Sequence, residues 1–299
     1  MVRLNAWRKS PAAQVPRFTA APLPRLLPTA LLSLCLILPA LCRSSWSLHL
    51  DPLTSAQFHA RVLALDPKIA VFDCDGTLWS GDAGSAFMHW SFESGLLSTD
   101  ATAWLNGRYN AYKRGEVSEL AICGEMVQVY RGLPVSRLRQ AAADFFRDHI
   151  QRNIFPKMLE LVAELERRGT EIWAVSSTCD WVIEEGVKQF RISAERVLAA
   201  CVFCENGNAT DRLRDVPTDE GKVAALARVG ITATTNQPDC AFGNSIHDAA
   251  MLSIARSAFP VNPSPALAET AAAKGWPLYY PAGVAPQPLP PKSVDLPPS

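Results

Sequence analysis

The sequence predicts an α/β protein: a Rossmann-like, mostly parallel sheet with helices on both faces and a small helical unit inserted after its first strand. Three observations carry this. Ile69-Ala-Val-Phe72 is a continuous apolar run that ends abruptly in Asp73-Cys-Asp75-Gly76-Thr77, as a buried strand does when it delivers polar groups to a loop at its C-terminal end. Further along, strand-like runs alternate with segments of helical period. Residues 83–150, by contrast, hold no strand-like run at all.

Taken in order, the spacing predicts a helix over residues 54–66 and the first core strand over residues 69–72. The insertion, 83–150, reads as several helices separated by Gly95, Gly115 and Gly132-Leu-Pro134. Its apolar residues recur at helical spacing in Ile122, Met126 and Val129, and again in Leu138, Ala142 and Phe145. A helix over 156–168 is stopped by Gly169, and the strand that follows, 171–175, ends at Ser176-Ser177-Thr178. Residues 180–190 are helical, and 197–203 run as a strand into the hairpin turn Glu205-Asn-Gly-Asn208. Asp219-Glu-Gly-Lys222 opens a helix over 223–229. A short strand over 240–242 then ends at Gly243-Asn244-Ser245, ahead of a helix that contains Asp248. Residues 258–261 and 277–280 read as two last short strands. The catalytic core is thus expected in two pieces, 46–82 and 151–280, around a cap over 83–150.

The ends differ from this body. Arg3, Arg8, Lys9, Arg17, Arg25 and Arg43 all precede the first acid, Asp51, and a charge-free run over 26–41 lies among them. That run is short for a membrane span, which needs ~20 residues, and suits the apolar region of a secretory signal. Residues 1–45 are therefore expected to be a signal peptide cleaved near 42–47, with the protein exported to the periplasm or cell envelope. The alternatives are an uncleaved anchor, the only route to a membrane, or a start codon placed too early, which would leave the protein cytoplasmic. Residues 281–299 hold seven prolines and no hydrophobic period, and read as a proline-rich tail.

Without those six of its 29 basic residues, the body faces 29 acidic ones with an excess of about six negative charges. Such a surface gives no reason to expect nucleic acid as a partner. The cysteines show no paired pattern of a zinc site; Cys201 and Cys204 read as small buried residues or, in an oxidising compartment, a disulfide.

Two carboxylates at the end of a buried strand are costly unless something compensates them, most simply a cation. Other polar groups arrive in order at later strand ends and one helix start: Ser176, Lys222, and Asn244 with Asp248. In order and spacing, this set resembles the haloacid dehalogenase superfamily in its phosphoserine-phosphatase-like branch, over roughly residues 69–281. The resemblance implies a Mg²⁺-dependent phosphomonoesterase that hydrolyses a small phosphorylated metabolite through an aspartyl-phosphate. It makes Asp73 the nucleophile and Asp75 the general acid and base, with Ser176, Ser177 and Lys222 holding the phosphoryl group. Asp73, the backbone carbonyl of Asp75 and Asn244 would hold Mg²⁺. Asp248 would orient a metal-bound water or hold Lys222 from outside the ligand sphere.

Physical chemistry supports these roles. A phosphomonoester repels an unassisted carboxylate, and a divalent cation between them removes that obstacle. A covalent step splits one hard displacement into two easier ones. Each residue taken alone has a plainer reading: a serine that ends a strand is usually a helix cap, and a lysine in a first helical turn is usually solvated. Asn244 departs from the pattern, since many relatives carry an acid there; it keeps a carbonyl ligand but loses a charge. His247 reads as a solvent-facing helical residue.

For the substrate, Asp82 stands where phosphoserine phosphatases carry an acid that binds the substrate ammonium. With Trp79, Trp90, Trp104, Tyr109 and Tyr112 close by in sequence, it suggests a phosphoserine-like or phosphorylated-amine substrate. The plainer reading makes Asp82 a turn residue or cap and the aromatics mainly core, and Arg108, Lys113, Arg114 and Arg131 could equally read a carboxylate or second phosphate. On the same scaffold the alternatives are a phosphotransferase or phosphomutase, or an inactive relative that binds a phosphorylated ligand.

Overall fold

The computed structural model describes residues 51–281. The expected signal segment, 1–45, lies outside these residues, as does the expected tail apart from Pro281. The first helix, α1 (Ser55–Leu63), starts at a capping box in which Thr54 and Gln57 each bond the other's backbone amide. It stops short of the predicted end, and Asp66 then turns the chain with a φ of 44°. Strand β1 (Ile69–Phe72) follows.

Four helices occupy the insertion: α2 (Ala83–Glu93), α3 (Thr99–Lys113), α4 (Glu119–Gln128) and α5 (Val135–Phe145). Asp82, Ser98 and Ser118 cap the first three by accepting from the amides of Ser85, Ala101 and Ala121. A π-helical turn, Phe146–Ile150, leads back to the sheet through α6 (Pro156–Arg167), which begins on a proline where no amide donor is needed. Then come β2 (Glu171–Cys179), α7 (Asp180–Val187), β3 (Val197–Glu205), β4 (Asn208–Asp215), α8 (Glu220–Arg228), β5 (Cys240–Gly243), α9 (Ala249–Ile254), β6 (Ser257–Pro260) and α10 (Pro265–Lys274).

The strands lie in the order β4-β3-β2-β1-β5-β6, parallel throughout except for β4, which is antiparallel to β3. This mixed α/β fold is the Rossmann-like fold expected. Strand β1 is central and buried on both faces. Ala70 and Phe72 join one apolar cluster while Val71 joins the other, which explains its unbroken run of apolar residues. Phe72 stacks on Phe242 of β5 with ring centroids 4.2 Å apart. The chain crosses from β1 to β2 on one side and reaches β5 on the other, so the carboxyl ends of these three strands open onto one crevice. Open α/β sheets bind their ligands at that place.

The cap sits against the β3–β4 hairpin. Asn206 and Gly207 both have positive φ, 50° and 79°, as the tight hairpin turn requires. Beside the turn, the loop between α4 and α5 pairs with the hairpin: Gly132 N–H donates to Ala209 at 2.7 Å, Ala209 N–H to Leu133 at 2.9 Å, and Val135 N–H to Gly207 at 2.9 Å.

Three expectations are corrected. Residues 277–280 form no strand; Tyr279 makes only isolated bridges to Leu53 and Val261, because Pro277 and Pro281 supply no amide donors for a ladder. The segment instead buries one aromatic, Tyr279, stacked on Phe58 at 4.0 Å. Strand β2 runs on through Ser176-Ser177-Thr178 to Cys179, with a register shift against β3 between Ser176 and Cys179. Cys201 and Cys204 are free thiols, the first buried and the second exposed, so they form no disulfide. Among the described residues, no helix is long and apolar enough to cross a membrane.

Candidate active site

Asp73 leaves β1 into the crevice and is 5% exposed. Its Oδ2 accepts from the Thr77 hydroxyl at 2.9 Å, and its Oδ1 accepts from Lys222 Nζ at 2.7 Å. Lys222 lies in the first turn of α8, yet it is not solvated: it is 2% exposed. Its ammonium also forms an ion pair with Asp248 Oδ1 at 2.6 Å and donates to the Val175 carbonyl at 2.9 Å. Burial works against this ammonium, but Asp248 and Asp73 outweigh it and hold its pKa above the ordinary lysine value.

Asp248 also fixes the loop after β5. Its Oδ2 accepts from the backbone amides of Asn244 and Ser245 at 2.9 and 2.8 Å. One buried carboxylate thereby ties Lys222 to the loop that carries Asn244. A second tie runs between the same segments. Asp219, just before α8, takes a strained φ of 50°, and its Oδ1 bonds His247 Nδ1 at 2.8 Å while its amide donates to the His247 carbonyl. His247 is therefore half-buried at the mouth of the site, in the single turn Ile246–Asp248, rather than solvent-facing on a helix.

Asp75 points elsewhere. Its Oδ1 accepts from Trp79 Nε1 at 2.7 Å and from the Ala83 amide at 2.8 Å, and its Oδ2 accepts from the Thr178 hydroxyl at 2.7 Å. Burial and the nearby Asp82 push its pKa up to about 6 against the pull of these three donors. Asp73 is pushed up to about 7, first by burial and then by Asp248, against the opposing effect of Lys222. Two carboxylates, Asp73 and Asp248, thus share one ammonium while Asp75 stands nearby without a cation, and the site is short of positive charge.

That deficit bears on Mg²⁺. The free donors are hard oxygens: the remaining lone pairs of Asp73, the Asp75 backbone carbonyl and the Asn244 amide. Gly76 brings the last two segments together. It has a φ of 73°, and a Cβ there would come within 1.9 Å of Asn244 Nδ2. Among the described residues no group of three or more His, Cys, Asp or Glu side chains is arranged as a metal cage. The donor set therefore fits a cation that keeps several waters, as Mg²⁺ does.

These groups line one cavity of about 250 Å³ between the sheet and the cap, the size of a small metabolite. Ser176 and Ser177 line it, the Ser176 hydroxyl accepting from the Thr178 amide at 3.1 Å. Tyr109, Tyr112, Met126 and Glu119 close it from the cap. The other aromatics named from sequence do not line it: Trp79 is buried behind Asp75, Trp90 stacks on Phe87, and Trp104 is exposed. Nor do the four basic residues line it. Arg108 is held by Glu125 at 2.7 Å, Arg114 by Glu116 at 2.7 Å, Arg131 lies 3.8 Å from Asp211, and Lys113 sits over the Tyr109 ring. Asp82 reaches the cavity edge, and one of its oxygens caps α2 through Ser85 at 3.0 Å.

Sequence reasoning missed Thr77, Trp79 and Thr178 as donors to the two aspartates. The spacing i to i+4 links Asp73 to Thr77 and Asp75 to Trp79, and was the available signal. Thr178 and Glu119 carried none.

A fold with two aspartates leaving its central strand, and a lysine and a third carboxylate behind them, defines a hydrolase of one family. The haloacid dehalogenase-like hydrolase model matches residues 70–253, more than half the chain, and the chain belongs to that family. Among curated relatives it is 24% identical to a histidinol-phosphatase of Neisseria meningitidis over 217 residues, which is 71% of this chain and 97% of that one. It is 23% identical to a probable phosphatase of Mycobacterium tuberculosis, over 70% of this chain and 74% of the relative. A solved structure of a Bordetella pertussis protein of unknown function shares the fold, with a TM-score of 0.62 and 23% identity across 71% of this chain and 97% of that one.

Proposed function

We propose that this hydrolase is a Mg²⁺-dependent phosphomonoesterase, acting on a small phosphorylated metabolite through an aspartyl-phosphate at Asp73. The observation that carries this reading is the Asp73 carboxylate, held between Lys222 and Thr77 at the end of the central strand and facing the cavity. One oxygen of Asp73 attacks phosphorus, and the substrate's ester oxygen leaves. Asp75, with a pKa pushed up to about 6, gives that oxygen its proton and then takes one from the water that cleaves the acyl phosphate. Lys222 keeps Asp73 aimed and sets its positive charge beside the attacking oxygen. The Ser176 hydroxyl and the Ser177 amide receive the phosphoryl oxygens.

Asp73, the Asp75 carbonyl and Asn244 would hold Mg²⁺, which would offset the charge repulsion between carboxylate and phosphate. Helices α2–α5 act as a cap that excludes water and completes the leaving-group pocket. The histidinol-phosphatase and probable phosphatase among the relatives support the same reaction class. Export is part of the proposal, resting on the basic and then apolar composition of residues 1–45. N-terminal sequencing of the mature protein tests it, and an intact Met1 in the cytosol would sink it.

The function is tested by phosphate release from p-nitrophenyl phosphate with Mg²⁺. Asp73→Asn should lower kcat by about 10³-fold or more while leaving the melting temperature near that of the wild type. Retained turnover in that variant would contradict the assignment. No turnover by the wild type with any divalent ion would favour the phospho-ligand-binding alternative.

A further inference from the structure

We infer that Glu119, on the cap, is the residue that reads the leaving group, and that it selects a phosphorylated amine lacking a carboxylate. The inference rests on the phosphomonoesterase reading and deepens it. Glu119 opens α4 and lines the same cavity as Asp73, Asp75 and Lys222. Its side chain is 17% exposed, and its Oε2 is shut off from solvent with no hydrogen-bond partner. Its Oε1 receives only a weak donor, the Cys123 thiol at 3.5 Å. A buried carboxylate oxygen without a donor is costly, of the order of 1–3 kcal/mol or more for a charged group, so a native protein that keeps one in a cavity has a use for it.

Among the described residues no group meets Glu119 Oε2 with hydrogen-bond geometry. The Tyr112 hydroxyl lies near this carboxylate, which helps to hold its proton on, and His247 Nε2 stands 3.8 Å away, beyond hydrogen-bond distance, with its Nδ1 engaged by Asp219. Lys222 is already engaged by Asp73, Asp248 and the Val175 carbonyl. Asp82 differs from Glu119 in this respect. It is exposed, so water satisfies it, and it is already spent in part on capping Ser85. An ammonium or another N–H-bearing cation on the substrate is what Glu119 lacks. Tyr109 and Tyr112 line the same wall.

The same lining argues against an acidic leaving group. Among the described residues Lys222 and His247 are the only basic ones that line the cavity, and both belong to the core side near Asp73 and Asn244. Arg108 and Arg114 of the cap are paired with acids and do not line it. A carboxylate on the leaving group would therefore meet Glu119 with no compensating cation.

The test compares three small esters: phosphoethanolamine, ethyl phosphate, which lacks the amine, and O-phosphoserine, which adds a carboxylate. The wild type should favour phosphoethanolamine in kcat/KM by tenfold or more over each of the others. Glu119→Gln should cut the phosphoethanolamine-to-ethyl-phosphate ratio by roughly 10- to 100-fold, the range of a charged hydrogen bond. Glu119→Asp, which keeps the charge, should restore part of that ratio and serves also if the glutamine variant folds poorly. A preference for O-phosphoserine, or an unchanged ratio in Glu119→Gln, would overturn the inference.

Calorimetry in an Asp73→Asn background separates this from the catalytic proposal. There phosphoethanolamine should bind at least tenfold more tightly than ethyl phosphate, and Glu119→Gln should erase the difference. Equal affinities overturn the role of Glu119 even if the enzyme is a phosphatase. Selective binding with no phosphate release from any ester by the wild type supports Glu119 while refuting the hydrolytic reading.

Discussion

The Thr178 hydroxyl donates to Asp75 Oδ2 at 2.7 Å, joining the ends of two adjacent strands across 103 residues of sequence. Asp75 must hold a proton at one moment and release it at another, so its environment has to balance rather than simply favour the anion. Burial and Asp82 raise its pKa, while Thr178, Trp79 and the Ala83 amide lower it.

Thr178→Val keeps the shape of the side chain and removes one of the donors that favour the carboxylate. The pKa of Asp75 should therefore rise, carrying the alkaline limb of the kcat profile upward by about half a unit to one unit. At the optimum kcat should fall about tenfold. A pH–rate profile of the variant against wild type reads this directly, and superimposable profiles would remove Thr178 from the proton-transfer apparatus.

Asn244 makes a different kind of prediction. It packs against Gly76 beside Asp73 and Asp248, which share one lysine, and near Asp75, so Asn244→Asp adds a fourth carboxylate to the site at almost no change in shape. Without Mg²⁺ the variant should melt lower than wild type; with Mg²⁺ it should recover, and its Mg²⁺ affinity by calorimetry should be about tenfold tighter. An affinity unchanged by the substitution would place the metal elsewhere.

Asp180, at the start of α7, tests stability rather than catalysis. Burial and then Glu184 push its pKa from 3.8 up to about 7, against the pull of Arg139. Between those values the unfolded chain has released a proton that the folded protein still holds. Stability is therefore fully present below about pH 4 and is lost as pH rises through about 7. Asp180→Asn should raise stability by about 1 kcal/mol at pH 8 once solvent screening of this half-buried group is allowed for. That is about 2–4 °C in Tm, with no gain at pH 4. An equal shift at both pH values would assign the effect to packing.

Much of this was legible in the sequence, and the reason is physical. Asp73, Asp75, Ser176, Lys222 and Asn244 sit at ends of apolar runs or at a helix start, where a polar residue is out of place unless the chain needs it there. Thr178 and Glu119 could not be read this way: a threonine within a strand and a glutamate in a first helical turn are ordinary, and their meaning comes from partners far off in sequence. The basic residues of the insertion misled for the converse reason, because nothing in the spacing revealed that Arg108 and Arg114 were claimed by Glu125 and Glu116. Residues 277–280 look like a strand by hydrophobicity, but their flanking prolines leave only Tyr279 with a structural task.

The central claim is that Asp73 becomes covalently phosphorylated. Rapid acid quenching of enzyme mixed with Mg²⁺ and substrate, followed by peptide mass spectrometry, tests it most directly. The account predicts a phosphoryl group on the peptide that contains Asp73, lost in Asp73→Asn and lost again if the quenched sample is made alkaline. Phosphate release by the wild type with no label on Asp73, or with label on another residue, would contradict it.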